Sequence, residues 1–274
     1  MINNTLFRCA MGMAVAVVLG SVANVSGAVP TFSNTSGLAY SQDFNGLASS
    51  GTANAWSDDS TLAGWFLKSN AGEWSDNASN AYRGDSGGSG TEDFYSWGSS
   101  AADRALGSVP RPSSQATPRT YSTGLGLQYT GSSALTQLQI IYTGEWWRDG
   151  VIGSRTLSFE YKIQAGAPAG SDYTSATGWT AVSQLGYTVT GDGTNDANMD
   201  GSQQFNRVIT GLNITQNSYI LLRWINQDVG SANDHGLAID NVFVAVPEAG
   251  TWAAGALLGA VALVGYRRSR HILA

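Results

Sequence analysis

From Thr156 to Ile163 the chain reads Thr-Leu-Ser-Phe-Glu-Tyr-Lys-Ile, with polar and apolar residues alternating without a fault. A period of two marks a strand with one buried and one wet face, whereas an amphipathic helix repeats its apolar stripe every three to four residues. Further strands are predicted over Ala39–Phe44, Trp65–Lys68, Leu135–Thr143, Trp179–Val182, Leu185–Val189, Phe205–Ile209, Tyr219–Ile225 and Leu237–Val246. Between residues 29 and 245 no amphipathic helix longer than a turn or two is legible. The chain has 34 glycines in 274 residues and only 12% charged residues, which favours short strands joined by tight polar turns. Gly84–Gly90 and Gly191–Gly201 read as loops, and Val109–Pro118, with three of the six prolines, as a surface connection. The expected fold class is all-β: an antiparallel two-sheet sandwich, jelly-roll-like.

The last predicted strand changes phase. Leu237 and Ile239 are apolar on odd positions, Val242, Val244 and Val246 on even ones, and the switch falls at Asp240-Asn241. A one-residue β-bulge restores a buried face after such a slip. A strand passing from one buried face to two would give the same pattern. Either way a carboxylate sits where the backbone geometry changes.

Both ends of the chain carry an address. Arg8 precedes a mainly apolar run, Cys9 to Gly20, too short to span a membrane and typical of a secretory signal. Signal peptidase could then cut after Ala23 or after Ala28. The exported chain has no cysteine, so its domain must stand on its own core rather than on disulfides. At the far end Val246-Pro247-Glu248-Ala249 leads into an uncharged run over residues 251–266 and then Arg267, Arg268 and Arg270. As a helix that run spans roughly 24 Å, short for a bilayer core but within reach of tilt or thinning. The arginines would stay cytoplasmic, with everything before them across the membrane. The expected organisation is a signal peptide over 1–28, a β-sandwich over 29–245, and a tail over 246–274. This tail resembles the PEP-CTERM sorting domain of Gram-negative bacteria, the substrate of an exosortase. The resemblance implies Val246, Pro247 and Glu248 as the recognition motif, and delivery to the cell surface or an extracellular, exopolysaccharide-rich matrix. Ala249 departs from the family pattern, which has a second proline there. A plain C-terminal anchor without processing is the other reading of the same residues.

Residues 29–245 hold ten basic and nineteen acidic side chains, a net charge of −9, which argues against nucleic acid as a partner. Within them Gln42-Asp43-Phe44-Asn45, Asp103-Arg104-Ala105-Leu106-Gly107, Leu221-Leu222-Arg223-Trp224 and Asp234-His235-Gly236-Leu237-Ala238-Ile239-Asp240-Asn241 together resemble non-catalytic β-sandwich modules of secreted bacterial proteins. The resemblance implies adhesion or carbohydrate binding, hence a polysaccharide partner. It also implies a structural calcium on Asp240, with Asp43 alongside if the first and last strands pair. The competing role for Asp240 is to cap the bulge through backbone N–H groups. No other cofactor is expected.

The remaining motifs are weaker. Asp196-Ala197-Asn198-Met199-Asp200-Gly201 opens like a calcium-binding EF-hand loop, but Arg207 stands where the bidentate glutamate belongs, so a polar hairpin loop is the better reading. Catalysis has few instruments: one histidine, His235, ahead of the tail, no exported cysteine and no G-x-S-x-G elbow. A glycosidase needs only two carboxylates, and Glu145, beside Trp146-Trp147, has the most suggestive surroundings of the four glutamates before the tail. If Trp146 and Trp147 both lie on a strand, one points away from the core. An exposed indole beside Glu145 could stack on a sugar; the commoner role of such tryptophans is to cover a sheet edge or pack under a loop. The expectation is a non-catalytic surface module with Glu145, Trp146 and Trp147 as ligand-binding candidates. Its alternative is a displayed glycosidase on the same tail.

Overall fold

The computed structural model describes residues 29–70, 80–110, 119–150, 153–193, 197–228 and 234–248. The expected signal peptide, the apolar run over 251–266, and Arg267, Arg268 and Arg270 lie outside them, as do Glu73 and Asp196. Among the described residues no helix is long and apolar enough to cross a membrane. The elements are β1 (Thr31–Phe32), β2 (Gly37–Gln42), β3 (Asn54–Ala55), β4 (Trp65–Ser69), β5 (Ala81–Asp85), β6 (Asp93–Ser100), β7 (Asp103–Val109), β8 (Thr120–Tyr129), β9 (Leu135–Arg148) and β10 (Ser154–Gln164). There follow a short helix α1 (Gly170–Thr174), β11 (Thr180–Ala181), a 3-10 turn (Ser183–Leu185), β12 (Tyr187–Thr190), β13 (Ala197–Ile214), β14 (Tyr219–Gln227) and β15 (Gly236–Val246).

The strands form a two-sheet sandwich, as the alternation predicts. In the first sheet β14 lies between β8 and β10; β1 and β4 line the outer edge of β8, and β11 and β12 the outer edge of β10. The second sheet runs β13-β9-β15-β7-β6-β5-β3. Most pairs are antiparallel; β1–β8 and β5–β6 are parallel. Between the sheets, Leu138, Ile140 and Tyr142 of β9 and Leu237, Ile239, Val242 and Val244 of β15 join Leu125 and Leu127 of β8, Leu157 and Phe159 of β10, and Ile220, Leu222 and Trp224 of β14 in one buried cluster. Trp224 is its hub, with ring centroids 5.2 Å from Phe159, 5.5 Å from Tyr142 and 6.0 Å from Trp65.

The outer face of the first sheet is covered as well. Arg223 donates to Glu160 through Nε (2.8 Å) and Nη2 (2.6 Å), and through Nη1 to the carbonyls of Tyr173 and Ser175 at 3.0 and 2.9 Å. Its guanidinium also lies 4.0 Å from the ring centre of Trp179, a cation–π contact. These bonds clamp the segment carrying α1 onto β14, so that it also covers the neighbouring β8. There the strand has Gly124 and Gly126 because a Cβ would come within 2.2 Å of the Tyr173 ring and 2.7 Å of Pro168.

On β15 the phase change is a bulge. Asp240 pairs with Thr143 and Phe243 with Ile141, so three steps on β15 match two on β9. Asn241 takes a left-handed φ of 49° and is exposed, while Asp240 and Val242 on either side are buried. The left-handed backbone costs an ordinary side chain about 1–2 kcal/mol but costs glycine nothing. Asn241→Val should therefore unfold at lower denaturant than Asn241→Gly, by about 1–2 kcal/mol in extrapolated stability. Equal stabilities would contradict the bulge, since both variants lose the same side-chain amide.

Candidate functional site

The bulge lies opposite a junction between two strands. β9 occupies one edge of β15 throughout; on the other, β7 pairs with Leu237–Ile239 and β2 pairs with Val242–Val246. The end of β2 and the start of β7 meet across from Asp240-Asn241, bringing three of the motifs noted in the sequence together. The turn after β2 is tightly held. Gln42 Oε1 accepts the N–H groups of Asp43 and Phe44 at 3.0 and 2.9 Å, Phe44 has a φ of 57°, and Asp43 Oδ1 accepts the Asn45 N–H at 3.2 Å. Asn45 Oδ1 accepts the Arg104 N–H at 2.7 Å, tying that turn to β7.

Asp240 is 3% exposed. Its Oδ2 accepts the side-chain amide of Asn241 at 2.5 Å, and its Oδ1 is buried with no hydrogen-bond partner. Burial pushes its carboxyl up to about 7, and the like charges of Glu145, Asp103 and Asp43 push the same way against a bond from the Asn241 backbone. The charge of Asp43, the residue expected alongside Asp240, is among those that raise the Asp240 carboxyl. Asp103 joins them, a residue in a motif the sequence flagged without a role. Among the described residues no three His, Cys, Asp or Glu side chains stand close enough to hold a metal as they are. What the junction offers is oxygen only, around an unsatisfied buried carboxylate oxygen, the donor chemistry of a hard cation.

Glu145 reaches the same outer face because it pairs with Ala238, two residues before Asp240. Its Oε2 accepts the Trp147 indole N–H at 2.7 Å. Burial raises the Glu145 carboxyl, the Trp147 bond lowers it and the charge of Asp103 raises it further. A second irregularity sits beside it: Leu237 pairs with Trp146 and Gly236 with Arg148, leaving Trp147 as the extra residue. The two tryptophans therefore part company. Trp146 packs against the main core, its indole N–H donating to the Arg148 carbonyl at 2.7 Å and its ring edge-on to His235 at 5.1 Å. Trp147 packs with Tyr95, Trp97, Ala105, Val109 and Ala238 in a second cluster on the opposite face. At 6% exposure its indole is covered rather than presented as a platform for a sugar.

Other charged groups are structural. Arg104, 2% exposed, spends its guanidinium on Ser96 Oγ (2.9 Å) and on the carbonyls of Gly98 (2.7 Å), Ser100 (3.1 Å), Asp85 (3.1 Å) and Ser96. It floors an open polar cavity of about 360 Å³ lined also by Ser49, Asp85, Ser86 and Ser99. Burial lowers the proton affinity of His235, whose Nδ1 accepts the Gly150 N–H at 2.8 Å while Nε2 donates to the Gly153 carbonyl at 2.9 Å. Val246 closes the sheet opposite Gly37, and Pro247 and Glu248 follow directly, Glu248 exposed.

Because Asp240 titrates near 7 when folded against 3.8 ordinarily, the folded chain takes up a proton the unfolded chain does not hold. That contribution is fully present below the unfolded value and is lost as pH rises to the folded one. With divalent cations chelated, the melting temperature should fall between about pH 5 and about pH 8, and Asp240→Asn should flatten the fall. A wild-type profile flat or rising over that range would contradict the buried, like-charged setting of Asp240.

No protein-family model and no curated protein matches the chain. Solved structures are similar to it at low identity. The K3 cleaved adhesin domain of Lys-gingipain from Porphyromonas gingivalis W83 aligns over 76% of this chain and 99% of its own, at 11% identity and a TM-score of 0.38. The CBM22-2 xylan-binding domain of Paenibacillus barcinonensis Xyn10C aligns over 75% and 98%, at 7% identity and a TM-score of 0.40. A second CBM 22 xylan-binding domain aligns over 77% and 95%, at 13% identity and a TM-score of 0.35. The likeness is one of sandwich architecture.

Proposed function

We propose that this is an exported, non-catalytic cell-surface or matrix protein: one β-sandwich with a calcium at the Asp240 junction, a role in adhesion or polysaccharide binding, and a tail processed by an exosortase-type enzyme. The observation that carries the non-catalytic reading is that, among the described residues, His235 and the glutamates ahead of the tail are already engaged. Glu92 accepts Arg119 Nη1 at 2.5 Å and the Tyr121 hydroxyl at 2.6 Å, Glu160 is gripped by Arg223, Glu145 holds Trp147, and both ring nitrogens of His235 meet backbone groups. A glycosidase needs one carboxyl poised to donate and another open to the sugar or water. The oxygen-rich junction around the unsatisfied Asp240 oxygen suits a bound cation. Asp240 and Asp43 supply its core, with Asp103 and Glu145 on the same face.

The sorting reading rests on Pro247 and Glu248. They leave the sheet at its last pair, Val246 with Gly37, so a processing enzyme could take hold of them without unfolding the sandwich. Delivery through a signal peptide and an anchoring helix with Arg267, Arg268 and Arg270 on the cytoplasmic side completes the route.

Intact-mass analysis of protein recovered from its own host tests both halves. The expected result is a mature chain ending near Pro247 or Glu248 that releases no reducing ends from polysaccharides, with Glu248→Ala accumulating as a longer membrane-bound form. A wild-type chain still carrying the whole tail overturns the sorting reading. Release of reducing ends, lost in Glu145→Gln, overturns the non-catalytic one.

A further inference from the structure

The cavity floored by Arg104, about 360 Å³, is built by three separate stretches of chain. β5 and β6 run parallel, so both leave the sheet at the same end, where Asp85-Ser86 and Gly98-Ser99-Ser100 form two walls. Ser49, from the loop ahead of β3, completes them. That loop is fastened to β5: the Ala48 N–H donates to the Tyr82 hydroxyl at 2.9 Å, and the Gly84 N–H to the Gly51 carbonyl at 2.9 Å. A Cβ at Gly84 would stand 2.7 Å from the Ala48 carbonyl oxygen, so glycine is what lets the loop lie so close. Arg104 joins the other walls from beneath, bonding the carbonyls of Gly98 and Ser100 on one side and of Asp85 on the other. A Cβ at Gly98 would stand 2.5 Å from Arg104 Nη1. The walls are therefore set in advance, and no loop has to be ordered when a ligand arrives.

The lining is selective about what it can hold. Among the described residues its one apolar side chain is the methyl group of Ala101, so a lipid or an aromatic ligand gains nothing by entering. The five guanidinium N–H groups of Arg104 are spent on Ser96 Oγ and on the carbonyls of Ser96, Gly98, Ser100 and Asp85. None is left for a phosphate, sulfate or carboxylate, which the Asp85 charge also repels. One carboxylate beside one guanidinium leaves the lining without net charge, so it has little hold on a cation either. What it presents is hydroxyls and a carboxylate oxygen. Asp85 Oδ1 accepts the N–H groups of Gly87 and Ser89 at 2.8 and 3.1 Å, which fixes the carboxylate, and its Oδ2 carries no hydrogen bond among the described residues. Ser49, Ser86 and Ser99 are exposed, and their hydroxyls, each able to donate and accept, have no partner among the described residues. The volume is at the small end of the roughly 300–1,000 Å³ of ligand pockets, which suits one sugar residue rather than a length of chain.

We propose that this cavity is a pocket for a single neutral sugar residue, the end or a branch of a polysaccharide, bonded by Asp85 Oδ2 and the hydroxyls of Ser49, Ser86 and Ser99. It rests on the polysaccharide-binding reading of the sandwich, and it places recognition in hydroxyl bonding within a pocket rather than in stacking on an indole. Arg104 fixes the walls and touches no ligand.

Saturation-transfer NMR on the full-length chain, in a detergent that carries no sugar, tests this. The probes are glucose, galactose, mannose, xylose and N-acetylglucosamine, polysaccharides built from them, and glucuronic acid as the charged counterpart. The wild type is expected to bind at least one neutral sugar and to ignore glucuronic acid. Ser99→Trp fills the pocket from an exposed position and should abolish that binding at an unchanged melting temperature. Asp85→Asn keeps an oxygen for Gly87 and Ser89 and should weaken binding about tenfold or more. If Ser99→Trp lowers the melting temperature, Ser86→Trp fills the same pocket and should show the same loss. Undiminished binding in all three variants overturns the pocket and leaves the polysaccharide-binding reading standing at another surface. Binding of glucuronic acid alone overturns the neutral-sugar assignment. A wild type that binds none of these sugars or polymers overturns the pocket and the polysaccharide-binding reading together.

Discussion

The second sheet depends on how β15 is shared. Its hydrogen bonds to β9 run the whole strand, but on the other edge it must serve β7 and then β2, two strands that end where the other begins. One extra residue at Asp240-Asn241 lets both halves of β15 keep a buried face while the neighbour changes. The same irregularity leaves the Asp240 carboxyl buried on the outer face, where the charges of Glu145, Asp103 and Asp43 act on it. The unsatisfied Asp240 oxygen is the cost that slip in register leaves behind.

Much of this is written in the chain. The alternation from Thr156 to Ile163 lies within β10, and the phase change at Asp240-Asn241 is the bulge. Three kinds of element escape the pattern. β6 and β7 are buried on both faces for most of their length, so they show no period of two. β8 contains glycines because α1 and Pro168 press on it, and local composition there reads as loop. The segment predicted as strand over Leu185–Val189 opens with a 3-10 turn, and β13 begins at Ala197, inside what reads as a Gly-rich loop. Each depends on a contact from elsewhere in the chain.

The candidate site was partly legible for the same reason. Asp240 stands out through the strand phase, whereas Asp43 enters only through the resemblance to secreted sandwich modules and the pairing of the first and last strands it implies. Asp103 could be assigned only once β7 was known to abut β2. Trp146 and Trp147 stand next to each other in sequence, yet the extra residue at Trp147 sends one to the core and the other to a covered cluster on the opposite face. The arginines explain the rest of the recurring motifs. Arg104 and Arg223 are buried and saturate their donors on carbonyls, a hydroxyl and Glu160, so they fasten segments to the outer faces of the sheets rather than await a ligand.

The central claim is that the β15 bulge holds Asp240 as the ligand of a cation. Diffraction from crystals grown with calcium, recorded where calcium scatters anomalously, tests it most directly. The account predicts an anomalous peak about 2.3–2.6 Å from Asp240 Oδ1, on the side facing Asp43. A map with no peak there and Oδ1 bonded to an ordinary donor or to water would contradict it.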